Sequence, residues 1–247
     1  MNQLKPPADT RVAPIKAAQS PPRWTALVAG GSGLVGSRLL ETLAATAECA
    51  RIIAITRRPL AYDHPKLANR IVPFDNLAES IGGTRAEIAF CCLGTTLKTA
   101  GSQDAFRQVD FDYTVGFARA AHKAGATRFV LNSSVGADSA SKYFYLRVKG
   151  EAEEAIAKLG FASLDILQPS LLLGVRKELR LGELAMMGIL PLASPLLLGK
   201  FEQYRPINVT VLAAAMIGAT RTARKGLYRY TWRGIQELAD KHNAKRR

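Results

Sequence analysis

The sequence predicts an α/β fold: a doubly wound, mostly parallel sheet with a small substrate-side region late in the chain. Three observations carry this expectation. Short apolar, β-branched runs alternate with segments of helical periodicity. Two long helical segments stop at glycines, Gly125 and Gly160. A run of spaced glycines joins the first strand to the first helix.

Each element follows in order. "WTALVAG" (24–30) is an apolar run ending in glycine, as a buried parallel strand does. "LVGSRLLETLAATA" (34–47) places Leu34, Leu39, Leu40 and Leu43 at helical spacing. "ARIIAITRR" (50–58) reads as the second strand, "NRIVPF" (69–74) as the third and "AEIAFCCLG" (86–94) as the fourth. A long helix is expected over 104–125, a fifth strand running into a loop over 127–137 and a helix over 141–160. The sixth strand, 161–174, is broken by Pro169. Beyond it come an irregular region at about 175–206, a helix (208–223), a short strand (226–231) and a last helix from Gly234. Strand and helix alternating at this spacing give βαβ units, whose right-handed crossovers build a parallel sheet.

The chain has 247 residues and is 48% hydrophobic, enough for one sizeable core. Residues 1–22, rich in Pro and without an apolar stretch, are expected to be a flexible lead-in, neither signal peptide nor anchor. Residues 23–247 are expected to form a single domain. The net charge of +14 sits mostly at the ends: residues 1–23 carry +3 and 221–247 carry +7. Basic ends on a near-ordinary middle read as solvated tails, so no nucleic-acid partner is expected. The apolar stretch 184–199 is short of the roughly 20 residues a spanning helix needs, and Pro191 and Pro195 interrupt it. A pocket wall, lid or subunit interface is the reading, and no transmembrane segment is expected. Cys49, Cys91 and Cys92 fit no even disulfide framework and no metal-ligand spacing, so buried thiols, no metal and a cytoplasmic setting are expected.

"VAGGSGLVGSRLL" contains G-x-x-G-x-x-G at Gly30, Gly33 and Gly36, in the strand–turn–helix context that gives the motif meaning. Gly30 permits the tight turn, Gly33 lets the backbone approach a pyrophosphate, and Gly36 lets helix and strand pack closely. The phosphate then meets unpaired N–H groups at the positive end of the helix, a Rossmann-type NAD(P) site. Ser32, Leu34 and Val35 join the glycines among the expected cofactor-binding residues, and the Ser32 hydroxyl can add a phosphate hydrogen bond. An acid at the end of the second strand would bind a ribose 2′-hydroxyl, and a cation would suit a 2′-phosphate. Here the strand ends in Arg57 and Arg58 with no acid near, which points to NADP(H) over NAD(H).

"YFYLRVKGE" (143–151) sets Tyr145 four residues before Lys149, one helical turn apart on one face. An ordinary tyrosine phenol ionises near pH 10. A nearby ammonium favours the phenolate and so suits general acid/base work. Tyr143, about 200° around the helix, should face elsewhere and serve packing.

The glycine pattern, the arginine pair and Tyr145/Lys149 together resemble the short-chain dehydrogenase/reductase superfamily, in its atypical or extended branch. "FCCLGTT" (90–96), "VDFDY" (109–113), "SSVGAD" (133–138), "YLRVKGE" (145–151) and "QPSLLLG" (168–174) resemble, more narrowly, the Tat-interacting protein 2 family of oxidoreductase-like proteins. The resemblance spans about residues 25–175 and implies roles. Tyr145 is the general acid/base, Lys149 favours its phenolate and holds the nicotinamide ribose, and Ser134 orients the substrate carbonyl, with Ser133 as the alternative. Leu93, Gly94 and Thr95 should line the adenosine-ribose side. Gln168, Pro169 and Ser170 should lie against the nicotinamide, and Ser133 near the cofactor. Two positions depart from the superfamily. Asp110 stands where an Asn often organises a proton relay. Pro73 stands where an Asp often binds the adenine, which leaves Phe74 and Asp75 to pack on the adenine edge.

Two classes of function follow. One is an NADP(H)-dependent oxidoreductase acting on a small-molecule carbonyl or alcohol, with 184–205 suggesting a hydrophobic substrate. A nucleotide-sugar epimerase or dehydratase is a variant on the same machinery. The other is an NADP(H)-binding regulator without turnover, since fold alone does not fix chemistry. A monomer and a homodimer are both compatible with the sequence.

Overall fold

The computed structural model describes residues 23–174 and 197–245. The expected lead-in 1–22, and residues 175–196 with most of the expected substrate-side region, lie outside the described residues. The strands are β1 (Trp24–Ala29), β2 (Cys49–Thr56), β3 (Leu67–Ile71), β4 (Ile88–Cys91), β5 (Arg128–Asn132), β6 (Ser163–Leu167), β7 (Leu172–Leu173), β8 (Ile207–Asn208) and β9 (Gly226–Tyr230). The α-helices are α1 (Leu34–Ala44), α2 (Leu77–Ser80), α3 (Leu97–Ala100), α4 (Gln103–Arg107), α5 (Thr114–Lys123), α6 (Phe144–Ala157), α7 (Val209–Thr220) and α8 (Trp232–Ala244).

The main sheet runs β3-β2-β1-β4-β5-β6-β9, and its neighbours pair in parallel. From β1 the chain winds outward to β3, then returns to β4 on the other side of β1. In open α/β sheets this reversal leaves a crevice at the carboxyl ends of the two strands, where ligands bind. β7 and β8 pair separately.

The apolar run of β1 is explained by burial on both faces. Ala26 and Val28 pack with Leu39 and Leu43 of α1, Leu212 and Met216 of α7, and Leu238 of α8. Leu27 and Ala29 face the other way, into Val115 and Phe117 of α5 and Ile156 of α6. Burying each such aliphatic side chain is worth about 1.5–3 kcal/mol, so helices on both faces hold the sheet rigid beneath the crevice. Among the described residues no helix is long and apolar enough to cross a membrane.

Beyond shifts of a few residues at other element ends, three departures from the sequence expectation stand out. The third strand starts earlier, at Leu67, and ends at Ile71. Val72 N–H still donates to Thr56 O at 2.9 Å, but Pro73 has no N–H, and the chain turns into a 3₁₀ turn, Phe74–Asn76, and then α2. The long helix expected at 104–125 is α4, a π-helical segment Gln108–Tyr113, and α5. The last helix begins at Trp232 rather than Gly234.

Candidate functional site

The glycine turn comes first. Gly30 has φ +82°, and a Cβ there would stand 2.5 Å from the carbonyl carbon of Cys92, so the turn leaving β1 presses on the segment leaving β4. Gly33 N–H donates to Gly30 O at 3.0 Å, closing the turn. A Cβ on Gly36 would stand 2.1 Å from the same oxygen. Gly33 caps α1 without a side-chain hydrogen bond, and no acid lies in the first turn. The N-terminal N–H groups therefore have no side chain competing with an anion. Ser32 and Gly33 are exposed, while Val35 is buried and Leu34 packs against the core. The last two can offer backbone N–H groups but not side chains. An uncapped helix end and a cradle that side chains would fill both fit a dinucleotide pyrophosphate.

One strand over, Arg57 and Arg58 are exposed directly after β2. The Arg57 guanidinium lies 5.9 Å from the centre of the Phe74 ring. Phe74 is buried and meets Tyr113 edge-on at 5.5 Å, and the Tyr113 hydroxyl donates to Asp75 Oδ1 at 2.9 Å. Phe74 and Asp75 thus form a braced edge beside the arginines. A cavity of about 530 Å³ opens past this edge along the outer side of α5, from Phe74 and Asp75 to Arg119 and Leu159. It does not include the Ser, Tyr and Lys positions.

The centre of the site is a buried ion pair. Lys149 Nζ lies 2.7 Å from Asp110 Oδ1, with the two side chains 9% and 0% exposed. The other oxygen, Asp110 Oδ2, accepts from Thr95 N–H at 2.9 Å. Asp110 sits in the π-helical segment, a rare geometry frequent at functional sites. Thr114 Oγ1 donates to Val109 O at 3.1 Å across that widened turn. A Cβ on Gly94 would lie 3.4 Å from both Asp110 Oδ1 and Lys149 Nζ, so the segment after β4 rests on the pair. Burial pushes the Lys149 ammonium down, but Asp110 first and Tyr145 second outweigh it, and the net shift is upward. Lys149 is therefore charged at neutral pH. Tyr145 is half-buried, its ring 5.4 Å from that of Phe106, and Tyr143 is 75% exposed.

The two serines after β5 differ. Ser133 is buried and its hydroxyl donates to Glu153 Oε1 at 2.6 Å. Ser134 is half-buried, and its hydroxyl reaches Val135 O at 3.5 Å, a weak contact. Gln168 Nε2 also donates to Glu153 Oε1, at 2.9 Å, and Arg229 Nε donates to Oε2 at 2.8 Å. Ser133 and Gln168 thus spend their side chains on a buried carboxylate and keep only backbone atoms for a ligand. Pro169 is buried, and its carbonyl accepts from Val135 N–H at 3.0 Å. The Ser170 hydroxyl donates to Arg205 O. Leu93 and Thr95 are half-buried and Gly94 is exposed.

The fold thus brings the expected residues to the carboxyl ends of β1 through β6. Sequence reasoning missed Glu153 and Arg229. The signal for Glu153 was present, since it lies four residues after Lys149 on the same helical face. The cysteines are free thiols. Burial pushes Cys49 up to about 12 and Cys91 up to about 11, and Cys92 also rises.

Residues 26–143 match the NAD dependent epimerase/dehydratase family. "Protein FMP52, mitochondrial" of Coccidioides immitis is 39% identical over 67% of this chain and 72% of its own. "Protein HTATIP2" of Rattus norvegicus is 37% identical over 63% of this chain and 66% of its own. Among solved structures, UDP-glucose 4-epimerase of Thermotoga maritima with UDP-glucose superposes with TM-score 0.64 at 14% identity, over 87% of this chain and 80% of that one. WbmH of Bordetella bronchiseptica in complex with NAD+ gives TM-score 0.63 at 16% identity, over 88% and 80%. These structures share the Rossmann-like fold. The FMP52 relatives are named as mitochondrial, which overturns the cytoplasmic setting expected above. Reduced cysteines report the redox state of a compartment, not which compartment it is.

Proposed function

The chain belongs to the NAD dependent epimerase/dehydratase family, with FMP52 and HTATIP2 as relatives, and within it we propose an NADP(H)-dependent oxidoreductase of the short-chain dehydrogenase/reductase type. The turn Gly30–Gly36 would hold the pyrophosphate, with Ser32, Gly33, Leu34 and Val35 around it. Arg57 and Arg58 would meet the 2′-phosphate, beside Phe74 and Asp75. Leu93, Gly94 and Thr95 would line the riboses, and the backbone of Ser133, Gln168, Pro169 and Ser170 the nicotinamide.

When bound, the cofactor supplies or accepts a hydride at the carbon of a carbonyl or alcohol. Tyr145 handles the matching proton: its phenol donates to the carbonyl oxygen in reduction and recovers the proton in oxidation. The buried ammonium of Lys149 favours the phenolate and reaches the ribose hydroxyls. Ser134, the serine whose hydroxyl is not committed to Glu153, orients the substrate oxygen. The observation that carries this reading is the charged, buried Lys149 one turn from Tyr145, against the segment that leaves β4. Support for NADP(H) is the exposed arginine pair, in a stretch, residues 49–62, that contains no acid.

The family description favours a second reading, a nucleotide-sugar epimerase or dehydratase. The region at about 175–206 is short for a domain that covers such a substrate, which ranks this reading second. Exposed Leu198 and Phe201 at its end support an apolar substrate instead. NADPH oxidation against a panel of aldehydes, ketones, quinones and nucleotide sugars tests the assignment. Substrate-dependent loss of NADPH absorbance is expected. NADPH binding without turnover on any of them would point to the regulator.

A further inference from the structure

We propose that Asp110 is a positioning residue that sets the working pH of the acid/base pair by balancing the charge of Lys149, an inference that rests on Tyr145 as the proton-transfer group. Two groups that can donate converge on the Asp110 carboxylate: the Lys149 ammonium, an ion pair 2.7 Å from Oδ1, and Thr95 N–H, which donates to Oδ2 at 2.9 Å. An amide has one acceptor oxygen and one NH₂. An asparagine here would have to turn its NH₂ toward one of those donors. The geometry therefore suits a carboxylate better than its amide.

The charge matters because the pair is dry. Asp110 is 1% exposed and Lys149 8%. The groups that face the ammonium are Asp110 from the π-helical segment, Tyr145 from its own helix, and the Cys91 thiol from β4. Burial keeps that thiol neutral. Asp110 is thus the negative partner of the ammonium among these groups. At 2.7 Å its carboxylate turns the lysine charge into a near-neutral dipole. The field that would favour a phenolate is weakened, and Tyr145 holds its proton to higher pH than a lone lysine would allow. That biases the site toward donating a proton, the reducing direction.

The π-helical turn is what delivers the carboxylate. The same Asp110 also ties the segment after β4 to α6, so the loop expected along the riboses and the lysine expected to hold them are fixed by one side chain.

The test is a tyrosinate absorbance titration, taken as the difference between the chain and its Tyr145→Phe variant. It needs no substrate, so it decides the matter even where turnover is absent. With Asp110→Asn the Tyr145-dependent midpoint is expected to move to lower pH by about one unit or more. A midpoint that stays or rises overturns the proposal. Removing one partner of a buried pair can prevent folding. If Asp110→Asn does not fold, the double variant Asp110→Asn, Lys149→Met takes its place, because it leaves no unpaired buried charge. A midpoint within about half a unit of the parent is then expected. A rise of more than about one unit overturns the proposal, since the ammonium would have been acting unopposed.

Discussion

The Cβ that Gly36 lacks would stand 2.1 Å from the carbonyl oxygen of Gly30, inside any permitted contact. Gly33 is different: its φ of −80° suits any residue, and a Cβ there would lie 3.3 Å from the same oxygen. The two glycines should therefore fail in different ways. Gly36→Ala must push α1 off β1, at a cost of about 1–3 kcal/mol or more, and should lose NADPH binding with it. Gly33→Ala should melt close to the parent yet bind NADPH weakly, because the methyl stands where the pyrophosphate approaches. Thermal melts beside NADPH fluorescence titrations separate the two. A Gly36→Ala chain that melts and binds like the parent would refute the packing role.

Arg57→Ala removes the guanidinium that lies over Phe74. A charge-assisted hydrogen bond to a phosphate is worth about 1.5–3 kcal/mol, so NADPH affinity should fall roughly ten- to hundred-fold. NADH affinity should hardly move. Titration with both cofactors checks this, and an unchanged preference for NADPH would remove the 2′-phosphate assignment.

Glu153 gathers donors from three places, Ser133 after β5, Gln168 after β6 and Arg229 in β9. It is 1% exposed, so no water replaces what is lost. Glu153→Gln turns an NH₂ group toward one of these donors and should cost about 1–3 kcal/mol. Urea unfolding should show a lower midpoint with an unchanged slope. An unchanged midpoint would mean the cluster contributes nothing to holding the strand ends.

Acid should expose a second carboxylate. Lys245 Nζ lies 2.9 Å and Arg221 Nη2 3.2 Å from Glu48. Partial burial pushes Glu48 up, but the Lys245 hydrogen bond and the two positive charges prevail and bring it from 4.5 to about 2. A carboxylate depressed in the folded state stabilises above its unfolded value, and that contribution is lost as pH falls through the folded value. Stability should therefore decline between about pH 4.5 and about 2, and Glu48→Gln should flatten that decline. Identical acid limbs in thermal melts would show that the contact is too screened by solvent to matter, as exposed pairs often are.

The sheet was legible because its central strands, β1, β4 and β6 among them, are buried on both faces. Each run such as "WTALVAG" had to be apolar throughout, and each helix had to end at a glycine or a polar turn. What the period could not show was local departure from it. Gln108–Tyr113 has the same spacing of apolar residues as an ordinary helix, so the π turn that aims Asp110 at Lys149 leaves no trace in the pattern. The ending of β3 at Ile71 turns on Pro73, whose missing N–H was visible but whose effect on the following 3₁₀ turn was not. For the site, the glycine turn and Tyr145/Lys149 were legible as spaced motifs. The choice between Ser133 and Ser134 depended on Glu153, a partner 20 residues away from Ser133.

The central claim is proton transfer by Tyr145, and the direct measurement is NADPH oxidation by Tyr145→Phe beside NADPH binding by the same variant. The substitution removes one hydroxyl and leaves the ring against Phe106. NADPH affinity should stay within about threefold of the parent, under 1 kcal/mol. Turnover of whichever carbonyl substrate the parent accepts should fall by roughly 10²–10⁴-fold. Turnover that survives in Tyr145→Phe would contradict the account.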